Sequence, residues 1–297
     1  MSGEWDTDRL DLDAYLHRIE HDATAAPTGP GLASLHRAHL AAIPFENLDI
    51  MLGRGVSVDL ESVQAKLVHR RRGGYCYEHG VLFAAALERL GYTVDRLLAR
   101  VGGDGQVPRP RTHLALHVEA EGARWLADVG FGSGLLEPLP FEAGGARSQG
   151  GWTYALVSRG HRSWELRERR GPDWMTLYRF DEERQHAADV LVANHFSSTH
   201  PRSPFVGQPV VVRKDADSIR RLLGRRLTLT RPDGSTHERQ LTDGEIADAL
   251  RDDFRVPLSS EEVAAVTLSA SGSATRSTPR GRRRRLPRPH RATGGCP

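Results

Sequence analysis

The sequence predicts an α+β protein in three stretches: a helical opening, a β-rich, barrel-like middle and a third region mixing helix and strand. Three observations predict it. Apolar residues recur at helical spacing up to about residue 91. From Tyr92 the period changes to two, with Gly, Pro and Asp between the runs. Beyond about residue 186 strand-like and helix-like runs are mixed. At 297 residues the chain exceeds one typical domain, so parts sharing a continuous core are expected over 1–91, 92–185 and 186–268, with a tail at 269–297.

The elements follow in order. Leu10, Leu12, Tyr15, Leu16 and Ile19 outline a first amphipathic helix, and Leu32, Leu35, Ala38 and Leu40 a second that ends before Pro44. A third runs from about Asp59 to Val68, with Ser57 or Asp59 as N-cap and Leu60, Val63 and Leu67 on one face. After Gly73-Gly74 a fourth begins near Cys76, carries Val81, Leu82, Phe83, Ala84, Leu87 and Leu90, and stops at Gly91; it is apolar almost all round and therefore buried. Strands are expected near 92–101, 112–119, 124–129, 152–158, 163–168 and 174–180. The third region holds strand-like Val210-Val211-Val212 and Leu227 to Thr230, then a helix from Asp243 to Phe254. Residues 269–297, rich in Ser, Arg, Pro and Gly, cannot bury apolar surface and are expected to be disordered.

The formal charge of +3 misdescribes the body. Residues 263–297 hold eight Arg and no acid, which leaves 33 basic against 38 acidic side chains elsewhere, a charge of −5. Nothing in that body suggests specific nucleic-acid binding. The apolar runs are too short for membrane insertion and the N-terminus lacks a basic-then-apolar leader, so a cytoplasmic protein is expected. Of two cysteines, Cys296 is penultimate, so there is no disulfide framework and Cys76 stands alone in the globular part.

Cys76 follows two glycines at the first turn of a strong helix, where unpaired N–H groups and the macrodipole favour a thiolate nucleophile. Such a nucleophile needs a histidine to take its proton and a third group to orient that histidine. The hairpin 112–129 offers both. A turn centred between Glu121 and Gly122 makes partner numbers sum to 243, setting Asp128 opposite Ala115 and diagonal to His113 on the same face; a turn centred on one residue would separate them. His117 shares that face but lies nearer the turn, opposite Leu126, and is the rival base. His17, Glu20 and His21 match an inverted zinc-protease pattern that ordinary amphipathic packing also explains, and no metal is expected. Arg70-Arg71-Arg72 reads as a solvated face, or as a cluster holding a thiolate or an anionic donor.

The string Arg72-Gly73-Gly74-Tyr75-Cys76-Tyr77-Glu78, with Ile43-Pro44-Phe45-Glu46-Asn47-Leu48, resembles the arylamine N-acetyltransferases. Thr112-His113-Leu114, Asp128-Val129-Gly130-Phe131-Gly132, and Ser198-Thr199-His200-Pro201 with Ser203-Pro204-Phe205 continue the resemblance, over about residues 8–268. It implies a cysteine-protease-like, three-part architecture: a helical bundle, a β-barrel and an α/β lid. It also implies a Cys76–His113–Asp128 triad that moves acetyl from acetyl-coenzyme A to an arylamine, arylhydrazine or similar nitrogen nucleophile by a ping-pong route. Phe45, Tyr77, Phe131 and Phe205 would line the acceptor pocket, and Gly130 and Gly132 would border the cofactor entrance. A macrolactam-forming amide synthase fed by a carrier protein is the near alternative, a Cys–His–Asp hydrolase or transglutaminase the remoter one. Gly80 departs from the family pattern, which usually has Asn there, and is expected to loosen the helix locally.

Overall fold

The computed structural model describes residues 3–22, 26–103 and 107–272. Helix α1 (Leu12–Arg18) and helix α2 (Gly29–Ala42) are capped by Asp11 and Thr28, each accepting from the backbone N–H three residues on. Their apolar stripes, Tyr15 with Ile19 and Leu32 with Leu35, are buried as the spacing requires. A two-residue strand β1 (Phe45–Glu46) and a one-turn helix α3 (Leu48–Met51) come next, both too short to leave a periodic trace. Helix α4 (Leu60–Gln64) has Asp59 as its cap and widens into π-helical turns over Ala65–His69. Helix α5 (Cys76–Arg89) is buried at every position from Cys76 to Leu87, and Gly91, at φ +90°, ends it.

The middle region is one eight-stranded, nearly closed, barrel-like sheet. Its strands are β2 (Thr93–Val101), β3 (His113–Ala120), β4 (Ala123–Ala127), β5 (Leu139–Pro140), β6 (Gly144–Gln149), β7 (Trp152–Ser158), β8 (Ser163–Arg170) and β9 (Asp173–Asp181), ordered β5-β4-β3-β2-β9-β8-β7-β6. Strands β5 and β6 lie outside the sequence expectation: the first is two residues long, and the second is polar and exposed except at Gln149. The β3–β4 hairpin has the predicted register. Leu116 pairs with Ala127 and His117 with Leu126, and the turn residues Glu121 and Gly122 both have positive φ, as a two-residue hairpin turn requires.

The third region contains α6 (Ala187–Thr199), β10 (Val210–Lys214), β11 (Ile219–Leu223), β12 (Arg226–Thr230), β13 (Thr236–Gln240), α7 (Asp243–Asp248) with π-helical turns over Ala249–Asp253, and α8 (Ser260–Gly272). Its four strands extend β1 of the opening into a second sheet, β1-β10-β11-β12-β13, with Phe45 opposite Val212. Val210 and Val212 join the main core while Val211 joins a second core with Leu48, Leu222 and Phe254. Both faces of β10 are covered at Val210 to Val212, so that stretch is an unbroken apolar run. Asn47 staples the junction: its amide donates to the carbonyls of Phe205 (2.8 Å) and Gln208 (2.9 Å) and accepts from Val210 N–H (2.7 Å). Helix α8 corrects the expected start of the tail, because Ser269 to Gly272 are helical and Ala270 is buried in the second core. The rest of the Arg-rich stretch lies outside the described residues.

Gly80 does the opposite of loosening. A Cβ there would lie 2.6 Å from Cδ2 and 2.9 Å from Cγ of Leu114, a buried residue of β3. Its lack of a side chain lets α5 and β3 approach closely. Gly80→Ala should gain about 1 kcal/mol of helix propensity and lose about 1–3 kcal/mol to overpacking. A net fall in melting temperature is expected in the wild type and a rise from the same change in a Leu114→Ala background, which itself melts lower; a rise from Gly80→Ala alone would show that the contact is not tight.

Candidate active site

Cys76 occupies the first turn of α5, fixed by what precedes it. Gly73 is a glycine because a Cβ would sit 2.2 Å from the Pro44 carbonyl oxygen. The Gly74 carbonyl accepts from Glu46 N–H (2.7 Å), and the Glu78 carboxylate reaches back to Tyr75 N–H (3.0 Å). Beneath this loop runs a chain of buried polar groups: the Tyr15 hydroxyl bonds His39 Nδ1 (2.9 Å), His39 Nε2 bonds His79 Nδ1 (2.9 Å), and His79 Nε2 donates to the Gly74 carbonyl (3.0 Å). Each donor in the chain meets an acceptor when Tyr15 is the first donor, and the last proton is shared with the Pro44 carbonyl (3.2 Å). The loop before the thiol is therefore held from below.

The Cys76 thiol is 3% exposed and lies 3.7 Å from the Thr112 carbonyl oxygen. Burial pushes it up from the ordinary thiol range, and the Asp128 charge adds to that; the backbone N–H groups of Leu114 and Tyr77 pull the other way and lose. This runs against the expectation of a standing thiolate. Arg72 does not supply the missing charge, being spent on Glu46 (2.8 Å) and Asp49 (3.4 Å).

His113 opens β3 and Asp128 follows β4 directly. The ring Nε2 meets the Asp128 carboxylate at 2.8 Å with both residues buried, so the hairpin register does bring them together. Burial alone would raise the Asp128 carboxyl; the His113 charge and hydrogen bond, the nearby Tyr178 hydroxyl and the Gly130 N–H (3.0 Å) reverse this and hold it below its usual range. With Nε2 committed to the carboxylate, Nδ1 is the ring nitrogen left to exchange a proton. His117 is occupied elsewhere, between Asp95 (3.4 Å) and Arg124 (2.9 Å), with Phe141 against its ring.

Cys76 and His113 share a cleft of about 520 Å³ with Phe45, Phe131, Phe196 and Phe205, edged by Pro108 to Pro110 and Arg202 to Pro204. Tyr77 does not line it. That side chain is enclosed behind the wall, with its hydroxyl at 3.2 Å from Ser197, which does line the cleft. Gly130 and Gly132 are needed for close approach: a Cβ at Gly130 would meet the Cys76 backbone oxygen at 2.8 Å, and one at Gly132, at φ +77°, the Phe45 ring at 2.8 Å. Sequence reasoning missed His36, whose Nε2 accepts from Asp128 N–H (3.1 Å) while Nδ1 donates to the Leu136 carbonyl (3.0 Å). It also missed Phe196, in a helix whose apolar residues show no single face. Among the described residues no three His, Cys, Asp or Glu side chains converge as a metal site would need.

A model of the family described as N-acetyltransferase matches residues 30–263. The arylamine N-acetyltransferase of Mycolicibacterium smegmatis is 39% identical over 258 residues, spanning 84% of this chain and 93% of that protein. The chain belongs to the arylamine N-acetyltransferase family. It is thus an acyltransferase. Among solved members of the family, the Nocardia farcinica arylamine N-acetyltransferase matches with a TM-score of 0.83 at 41% identity, covering 89% of this chain and 95% of that one. The Mycobacterium marinum arylamine N-acetyltransferase in complex with CoA matches with a TM-score of 0.81 at 35% identity, covering 88% and 99%.

The buried histidines make stability depend on pH. Burial lowers His36 and His79 to about 4 and His39 well below its ordinary value. Between about pH 6.5 and 4 the unfolded chain therefore binds protons that the folded chain refuses, and stability falls as pH falls. Each site contributes at most about 1.4 kcal/mol per pH unit in that window. Urea unfolding at pH 7, 6 and 5 should show a progressively lower midpoint; a flat profile would mean that these imidazoles are solvated or already charged.

Proposed function

We propose that this protein transfers acetyl from acetyl-coenzyme A to an arylamine, arylhydrazine or similar nitrogen nucleophile, in two half-reactions through a Cys76 thioester. The reading is carried by one observation: Cys76 and His113 open into the same aromatic-walled cleft, with Asp128 buried behind the imidazole. His113 Nδ1 takes the Cys76 proton as the sulfur attacks the acetyl carbonyl. The bond to the coenzyme A sulfur breaks and the leaving thiolate takes the proton back from the imidazolium. In the second half the amine attacks the thioester and gives its proton to His113, which returns it to the departing Cys76 sulfur. Asp128 stays ionised, fixes the ring and stabilises its charged form. Because burial disfavours a free thiolate, the proton has to move during attack or as a thiolate–imidazolium pair.

Phe45, Phe131 and Phe205 offer apolar faces to a flat arylamine. Gly130 and Gly132 bring their turn against Cys76 and Phe45, which suits the edge of the coenzyme A entrance. The chain is read as three parts in a cysteine-protease-like arrangement: residues 1–91 supply the thiol, 92–185 the imidazole and carboxylate, and the third region, to the end of α8, covers the cleft. A free thiol and coenzyme A chemistry fit a reducing cytoplasm.

Mixing the protein with acetyl-coenzyme A and weighing it intact by mass spectrometry should reveal one added acetyl group, absent from Cys76→Ala. An unmodified wild-type protein that is acylated by a carrier-bound chain would transfer the reading to amide synthesis. His113→Ala should slow acetyl transfer about 10²–10⁴-fold and cut alkylation of Cys76 by iodoacetamide at pH 7 at least tenfold, while His117→Ala changes neither much. Equal alkylation of Cys76 in the wild type and His113→Ala would remove His113 as the base.

A further inference from the structure

A second concavity lies apart from the cleft. It has a volume of about 470 Å³ and is lined by Arg18, Arg71, Arg213, Arg251 and Arg255, together with Glu20 and an apolar strip that includes Ala38, Ala42 and Val256. No residue lines both it and the aromatic cleft. Arg251 is neutralised by Asp248 (2.7 Å) and Asp252 (2.9 Å). Among the described residues no carboxylate comes within ion-pair distance of the other four, and the one acid in the lining is the exposed Glu20.

Like charges gathered without partners oppose folding, and the cost is greatest for Arg18, which is only 5% exposed. That guanidinium is held by backbone carbonyls alone: Nε donates to Leu67 (3.0 Å) and Nη2 to Arg71 (3.4 Å). Arg213 is held in the same way, by the Ala41 carbonyl (2.7 Å). A guanidinium has five N–H donors. Arg18 spends two on carbonyls and Arg213 one, so both are fixed in place with donors to spare. Burial and the neighbouring cations pull both below the ordinary arginine value, Arg18 to about 10, and outweigh the more distant charges of Glu20 on Arg18 and Asp215 on Arg213. Arg71 and Arg255 complete the ring from exposed positions, each at positive φ (52° and 55°).

We propose that this concavity is a binding site for a small phosphorylated anion, distinct from the acyl-transfer cleft. Guanidinium forks converging from α1, from the loop before Cys76, from β10 and from the segment before α8 match a tetrahedral group with several anionic oxygens. A monovalent anion would leave most of that charge uncompensated, and the apolar strip can take the uncharged part of a phosphorylated metabolite.

Inorganic diphosphate is the probe. Isothermal titration of the full chain at low salt should show one saturable site, weakened by added sodium chloride. In the double variant R71Q/R255Q affinity should fall at least tenfold, and Arg213→Gln alone should lower it several-fold. Arg71 and Arg255 are exposed and Gln bears positive φ no worse than Arg, so these variants fold. The Arg-rich tail is present in every protein compared, so weak binding to it cancels. Unchanged affinity in the double variant would put the anion elsewhere and overturn the proposal. So would citrate binding as tightly as diphosphate, since the site would then select charge without selecting phosphoryl groups.

Discussion

A helix buried on every side must be enclosed by the rest of the chain, and α5 is that helix. Helices α1 and α4 cover part of it and strands β2 and β3 another part. Enclosure dictates the polar chemistry around it. Glu78 and His79, one turn from Cys76, cannot reach water, so each needs an internal partner. Glu78 takes Lys66 Nζ at 2.8 Å and the Tyr75 N–H. His79 takes the chain from Tyr15 through His39. Removing one member of a buried pair such as Glu78–Lys66 costs about 3–5 kcal/mol, because the survivor keeps its desolvation penalty. The rigidity of the site is thus a by-product of solving the burial problem of α5.

Two opposite displacements meet at the site. The Asp128 carboxyl is held down because three groups, His113, Tyr178 and the Gly130 N–H, reward its charge, whereas the Cys76 thiol is pushed up because too few reward its own. His36 belongs to the same balance: neutral, with its proton on Nδ1, it offers Nε2 to the Asp128 backbone and leaves the carboxylate free for His113.

What was legible in the sequence had a period or a fixed count behind it. The four main helices of the opening show their apolar stripes, and the parity of one two-residue turn decides that His113 and Asp128 share a face. What was not legible lacked such a signal. Strand β1 is two residues long and gains its place by pairing with β10, more than 160 positions later. Strand β6 reads Gly-Gly-Ala-Arg-Ser-Gln and forms because β7 offers it an edge. Helix α6 is capped by His186 and Asp189, an unusual choice, and leaves Leu191 and Val192 exposed, so its apolar residues outline no stripe. Tyr77 is expected in the cleft on the family resemblance alone. One step along a helix turns a side chain by about 100°, and that rotation carries it behind the wall.

The pairing of β1 with β10 bears on how freely this protein can be recombined. A sheet that draws its first strand from residue 45 and its next from residue 210 is not a detachable module. Exchanging the segment after residue 186 for that of a relative would set a foreign strand against Phe45 and Glu46 and make the three hydrogen bonds of Asn47 depend on a foreign backbone. Substrate preference is therefore better varied through the loops at 108–110 and 202–204, which edge the cleft outside both sheets, than by swapping the third region whole.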